Sequence, residues 1–464
     1  MSEIEELVNR YETMIRTGES SWFDSVDLLD IMEYYEEQGK EKQWEEVILR
    51  AYEMFPNDEY VVLNRASLYM TQSQYIEAER LIKSFLKNDT SDNLSCMLAN
   101  IYIENNTNLQ EAEEILNELI EKDSTDINYI RLLAEIKISK QDYQTAEALM
   151  RNSLKENADS REELLPLYVD CAKTKNLKNI ILKTLNTIID KDPFEDEVWM
   201  ALAIMFFEED DLDKALEAVD FALAIDKEDE TRHALKANIA IANLDEETFI
   251  KESLLATEYS LEPYLYYEGI AKLYASKDDY AEALHYYQKA IEGEQVGVVL
   301  PESKFGIIEC FLMLNKHKLA THFLDKVMEA KYDSQYYISF AARMYGKGFV
   351  ELSEAIFLDF INDEDDRTSL AAIVALAYIQ AEEEDLLVGI ELLDNALKNN
   401  KMDDIVYLAM LDLSCRDDKY MEYSKRALRH IITKNNFHTE IEENYPNLLK
   451  NKNYIKCLKE LLHE

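Results

Sequence analysis

The chain has 464 residues, with 49 Lys and Arg against 94 Asp and Glu, a formal net charge of −45. Nine glycines and six prolines are too few for the many tight turns of a β-rich or α/β protein of this length. A hydrophobic content of 47% excludes disorder, so the chain is expected to be all-α with short polar connections. In chain order, residues 2–17 predict an amphipathic helix. Helical pairs then follow at 24–57, 59–91, 92–126, 127–160, 161–194, 195–228, 229–263, 264–296, 301–333, 334–366, 368–402 and 403–435, and a last helix at 447–463. The organisation expected is an N-terminal capping helix (1–23), an array of helical pairs (24–435) and C-terminal capping helices (436–464). A single core stops growing near 250–300 residues. With no Gly-, Ser- or Pro-rich linker in sight, a solenoid is favoured over separate domains.

The evidence for repeats is a shared period. Ala78, Ala112 and Ala146 each stand three residues after Tyr75, Leu109 and Tyr143, and lie 34 apart. Ala215 and Ala283 continue this ladder at 69 and 68, two periods each. A second ladder, Ala66, Ala99, Ala134, Ala203, Ala271 and Ala341, is spaced 33, 35, 69, 68 and 70. Pro56, Pro193 and Pro263 keep the beat at 137 and 70. Within residues 264–293, Tyr267, Ile270, Ala271 and Tyr274 form one helical stripe. Lys277-Asp278-Asp279 breaks it, and Tyr280, Ala283, Tyr287 and Ala290 form a second. Two antiparallel helices pack closely only where some contact positions lack bulk, a role that falls to Ala271 and Ala283.

These residues carry a resemblance. Trp199, Leu202, Ala203, Phe206, Leu212, Ala215 and Ala222 resemble the signature of the tetratricopeptide repeat, as do residues 264–293. Tyr75-Ile76-Glu77-Ala78 and Tyr143-Gln144-Thr145-Ala146 match its second helix. The resemblance covers residues 24–432 and implies an α-α superhelix of about twelve helix-turn-helix units. It weakens at 229–263, whose second helix lacks the small residue. It weakens again over the last three units, where Ser353, Gly389 and Tyr423 stand in place of Ala.

Composition sets further expectations. The five cysteines are far apart and form no CxxC pair, so they read as reduced thiols in the core. The acidic opening Met1-Ser2-Glu3-Ile4-Glu5-Glu6 does not resemble a secretory leader, and the longest apolar run, Val198–Phe207, is half a bilayer span. A cytoplasmic protein is expected. The negative charge argues against nucleic acid or a membrane surface and favours basic or apolar protein segments. Residues 416–464 carry ten cations and eight anions, net +2, leaving −47 on the rest.

Catalytic constellations are not found. The seven histidines include no pair at i, i+4, and there is no HExxH. Gly346-Lys347-Gly348 lacks the spacing of a phosphate loop and reads as a turn between paired helices. Asn362–Asp366 lacks the central Gly and distal Glu of a calcium loop, and reads as an acidic turn with Asp366 or Thr368 near the next N-cap. The expectation is no enzyme, no cofactor and no metal.

The resemblance implies instead a groove lined by first helices. Carried to this chain, its open side comprises Leu63, Ser67 and Met70; Asn100; Arg131 and Glu135; Met200, Ile204 and Phe207; Glu268 and Lys272; and Phe305 and Glu309. The carboxylate-gripping Lys/Asn/Lys/Arg set of some family members is missing, Asn100 alone being insufficient. The function expected is an adaptor or scaffold binding a partner segment in that groove. The alternative is a homo-oligomeric structural protein assembling through its C-terminal repeats.

Overall fold

Most hairpins in this chain start at a side-chain cap and turn at a left-handed residue. The computed structural model describes residues 3–18, 21–292, 300–363, 365–399, 403–432, 441–443 and 445–463. Among them the regular structure is α-helix with three short 3-10 turns and no strand. The residues divide into two compact units, Met1–Glu252 and Ser253–Glu464.

The first unit opens with α1 (Glu3–Thr17), which packs on α2 (Ser25–Glu37), the partner of α3 (Glu41–Met54). The pairs α4 (Glu59–Thr71) and α5 (Tyr75–Leu86), α6 (Asp92–Glu104) and α7 (Leu109–Lys122), and α8 (Ile127–Ser139) and α9 (Tyr143–Glu156) follow. Next come α10 (Arg161–Asp170) and α11 (Lys175–Lys191), α12 (Asp196–Glu208) and α13 (Leu212–Ile225), and α14 (Glu230–Ala242). The helix α15 (Glu246–Tyr259) contains the division between units. The second unit pairs α16 (Tyr264–Ser276) with α17 (Tyr280–Glu292), α18 (Pro301–Met313) with α19 (His317–Glu329), and α20 (Ser334–Gly346) with α21 (Val350–Phe360). It ends with α22 (Asp366–Glu383) and α23 (Leu386–Lys398), α24 (Asp404–Ser414) and α25 (Met421–Ile431), and α26 (Lys452–His463). Within each unit, helix packing joins a hairpin to its neighbours in sequence.

The caps are mostly aspartates. The carboxylates of Asp24, Asp58, Asp126, Asp229 and Asp403 accept backbone N–H bonds at the starts of first helices, where donors lack partners. The acidic turn before α22 is capped by Asp365, not by Asp366 or Thr368. Its carboxylate accepts from the backbone N–H and the hydroxyl of Thr368, at 3.0 and 2.7 Å.

In nine of the hairpins described the inner turn is a Schellman closure. In the α4–α5 turn Ser73 has φ +55°, with Ser73 N donating to Met70 O (2.9 Å) and Gln74 N to Tyr69 O (2.8 Å). The same left-handed position is held by Gly39, Asn106, Gln141, Asp210, Leu244, Asp278, Asn315 and Gly348. Gly346-Lys347-Gly348 is thus the turn from α20 to α21.

Packing uses both alanine ladders. Ala66, Ala99, Ala134, Ala203, Ala271 and Ala341, and Ala78, Ala112, Ala146, Ala215 and Ala283, are all fully buried. With only a methyl at the contact, the paired helices approach closely and larger side chains fill the surround. Where alanine is missing, other groups serve. Ser353 is buried and its hydroxyl donates to Ala341 O at 2.9 Å. A Cβ on Gly389 would lie 2.2 Å from Ala377 O, so α22 and α23 meet there at glycine distance. In α25 the buried small residue is Ser424 rather than Tyr423, because a 3-10 turn at Asp418–Tyr420 shifts the register. The α14–α15 hairpin closes on polar groups. His233 Nδ1 lies 2.7 Å from Glu252, and Lys236 lies 3.4 Å from Glu252.

Four of the five cysteines are buried and Cys96 is half-buried. Burial pushes the thiols of Cys171, Cys310 and Cys415 up to about 12. The last helix begins at Lys452 rather than 447. Leu448–Lys450 is a 3-10 turn, and Asn451 accepts from the N–H of Asn453 (2.8 Å) at the helix start.

Candidate functional site

First helices of consecutive hairpins touch one another in series. In the first unit α2, α4, α6, α8, α10, α12 and α14 do so, and in the second α16, α18, α20, α22 and α24. Each series makes one continuous face. The N-terminal turns along it are bridged hairpin to hairpin. Glu59 accepts from Ser91 (2.7 Å) and Asn93 (2.9 Å), and Arg232, nearly buried, pairs with Asp196 (2.6 Å), Glu197 (3.1 Å) and Asp226 (2.5 Å). Arg161, also buried, pairs with Glu195 and donates to Leu154 O at 3.1 Å.

The residues expected on this face differ in burial and in partners. Leu63, Met70, Ile204 and Phe207 are half-buried, packed on the cores of the first unit with one side turned outward. Ser67 and Asn100 are half-buried polar residues. Arg131 is bound by Glu135 (2.6 Å) and Glu163 (3.4 Å). Met200 and Phe305 are corrections to the expected lining. Met200 is 6% exposed within the core around α12, and Phe305 is 1% exposed, its ring 5.1 Å from Tyr337 and 4.9 Å from Phe340. Both back the face from below. A helix whose neighbours lie on two sides buries more of its circumference than one open stripe implies.

In the second unit the expected residues come together. Glu268 accepts from Ser303 (2.5 Å) and Lys272 (2.7 Å), and Lys272 also pairs with Glu302 (2.6 Å). Glu309, 9% exposed, pairs with Lys347 (3.2 Å) and Arg343 (3.4 Å). Lys272, Glu302, Glu309, Arg343 and Lys347 surround a depression of about 380 Å³ backed by Tyr287. Gly306 admits that ring, since a Cβ there would sit 2.4 Å from it. Burial works against the charge of Lys272, but bonds to Glu268 and Glu302 hold its pKa above the ordinary value. The bond from Lys272 draws Glu302 below the usual carboxylate range. Lys272 and Glu302 are therefore held in their charged forms, and the depression presents fixed charges of both signs. Glu302, Arg343 and Lys347 were missed in the sequence, although a signal existed. Glu302 stands 34 residues after Glu268, and Arg343 stands 34 after Glu309.

Buried alanine ladders at a period near 34, Schellman turns inside most pairs and serially touching first helices decide the architecture. The chain is a tetratricopeptide-like repeat protein. A family model described as ChAPs (Chs5p-Arf1p-binding proteins) matches residues 57–242 of the array, less than half of the chain. Anaphase-promoting complex subunit 7 of Dictyostelium discoideum is 29% identical over 82 residues, which are 18% of this chain and 14% of that protein. The match thus spans about a seventh of the relative's length. Among solved structures, a tetratricopeptide repeat protein from Parabacteroides merdae is 13% identical with a TM-score of 0.36, over 54% of this chain and 97% of that one. PilF of Pseudomonas aeruginosa is 16% identical with a TM-score of 0.33, over 47% and 93%. The APC/C hetero-tetramer Cut9–Hcn1 gives 13% identity and a TM-score of 0.32, over 94% and 93%. The repeat assignment rests on the hairpins of this chain itself.

Among the described residues, no group of three or more His, Cys, Asp or Glu is placed to hold a metal ion, and no helix is long and apolar enough to cross a membrane.

Proposed function

We propose that the array is a non-catalytic scaffold that holds a segment of a partner protein along its first-helix face. The observation that carries this reading is the serial contact of first helices, which sets chemically varied side chains at one repeat spacing on one surface of each unit. Along the first unit Ser67, Ile204 and Phe207 offer small and apolar contacts between charged neighbours. In the second unit the Lys272–Lys347 depression offers fixed charges to an extended backbone or a polar side chain. The net charge of −45 favours a basic or apolar segment and disfavours a polyanion. The family description naming Chs5p and Arf1p binding supports protein binding as the class of function, without supplying this chain's partner.

The test is site-specific photo-crosslinking in native lysate. A crosslinking residue at Ser67 or Lys272, on first helices, is expected to trap a partner. One at Leu319 or Leu358, exposed on second helices, is expected to trap none. Adducts confined to the second-helix positions overturn the reading.

A further inference from the structure

In the interior of the first unit, a first helix carries two residues that the preceding hairpin covers. One lies five residues before the ladder alanine and the other two residues after it. In α4 these are Val61 and Leu68, 0% and 3% exposed, and both belong to the core cluster built with α1, α2 and α3. The same positions hold Leu94 and Ile101 in α6, and Val198 and Met205 in α12, all buried, whereas in α8 Ile136 is buried and Tyr129 half-buried. In α2, 34 residues before Val61 and Leu68, they fall on Asp27 and Tyr34, which are only half-buried. The neighbouring α1 packs on α2 and stands to it as a second helix does.

Where the first helix of such a pair would lie is a groove of about 920 Å³ between α1 and α2. Its floor includes Ile4, Leu7 and Tyr34. Its rim is Glu3, Glu6, Asp30, Glu33 and Glu37, all exposed. Among the described lining residues the cation is Arg10, which pairs with Asp27 at 3.4 Å. The groove is an apolar channel between acidic walls, cut where the array elsewhere seats a helix.

We propose that this groove binds an amphipathic basic helix of a partner protein, lying where a preceding first helix would lie. The repeat geometry specifies a helix, because α1 and α2 bound the seat as a first helix's own hairpin partner and the next first helix bound it elsewhere. The lining runs from Glu3 to Arg10 and from Asp27 to Glu37, about 12–16 Å along the helix axes, or two to three turns of the guest. Its apolar stripe would meet Ile4, Leu7 and Tyr34, and Lys or Arg on both flanks would meet the rim. An acidic helix would meet like charge, and a second copy of this chain is opposed by the −45 that each carries.

The probe is a synthetic helix of about five turns, with Leu on one stripe and Lys on both flanks, together with a counterpart carrying Glu for Lys. Binding to the full chain is read by fluorescence anisotropy. The basic helix is expected to bind at least about tenfold more tightly than the acidic one. Glu6→Lys with Glu33→Lys is expected to weaken it by about tenfold or more, and Tyr34→Ser by several-fold. Asp213→Lys with Glu217→Lys, an exposed acidic pair on α13, is expected to leave it unchanged. Circular dichroism melts establish that each variant is folded. Absence of binding, or equal loss from both charge-reversed pairs, overturns the proposal. So does concentration-dependent self-association by light scattering that Glu6→Lys with Glu33→Lys abolishes, which would make a second copy the occupant.

Discussion

Glu252 lies 2% exposed in α15, yet its carboxyl is held below the usual range. Burial alone would raise it. The His233 bond and the charges of Lys236 and Lys251 outweigh that effect. A carboxylate lowered in the folded state adds stability above its ordinary value, 4.5 here, and loses it as pH falls through the folded value. Glu252→Gln is therefore expected to cost about 2 kcal/mol at neutral pH. It is also expected to flatten the decline in stability below about pH 4.5, as read by urea unfolding across pH. A variant that is weaker at neutral pH but keeps the wild-type slope would count against the assignment. The pair was hidden in the sequence because His233 and Glu252 stand 19 residues apart in a hairpin with a faint signature. Phe305 and Met200 were misplaced for the opposite reason. Their register was legible, but the share of a helix that two neighbours cover is a property of packing.

At the scale of the element, the scarcity of glycine correctly indicated helices, but it understated how often the chain turns left-handed. Schellman closures recur at the hairpin turns, and most place φ near +55° to +60° on Ser, Asn, Asp or Gln rather than Gly. Asn and Asp tolerate that region, whereas Leu244 has no such excuse. Leu244 is 86% exposed with φ +59°, so little is lost by removing its side chain. Leu244→Gly is expected to stabilise the first unit by about 1 kcal/mol, seen as a higher urea midpoint. An unchanged or lower midpoint would contradict the strain. The alanine ladders were legible because tight helix contacts demand a small residue at a fixed register. The substitutes were less so, since a buried Ser424 one place from Tyr423 follows from a 3-10 turn that no period announces.

Over the whole molecule, the architecture was legible in the 34-residue period long before any contact was known. The division inside α15 was not, because both sides of Glu252 are helical and no Gly or Pro marks it. The terminal groove was also overlooked. Asp27 and Tyr34 look ordinary until they are aligned, one period on, with the buried Val61 and Leu68.

A hairpin whose helices pack chiefly on its neighbours in sequence also has a mechanical character. Pulled by its two ends, such a chain should not rupture in one event. Hairpins should peel away singly, each releasing roughly 34 residues of slack, about 110–120 Å of contour. An optical-tweezers trace with steps of that length would register the repeat as directly as a ruler, whereas one large drop would mean that the hairpins share their strength more widely than their contacts imply.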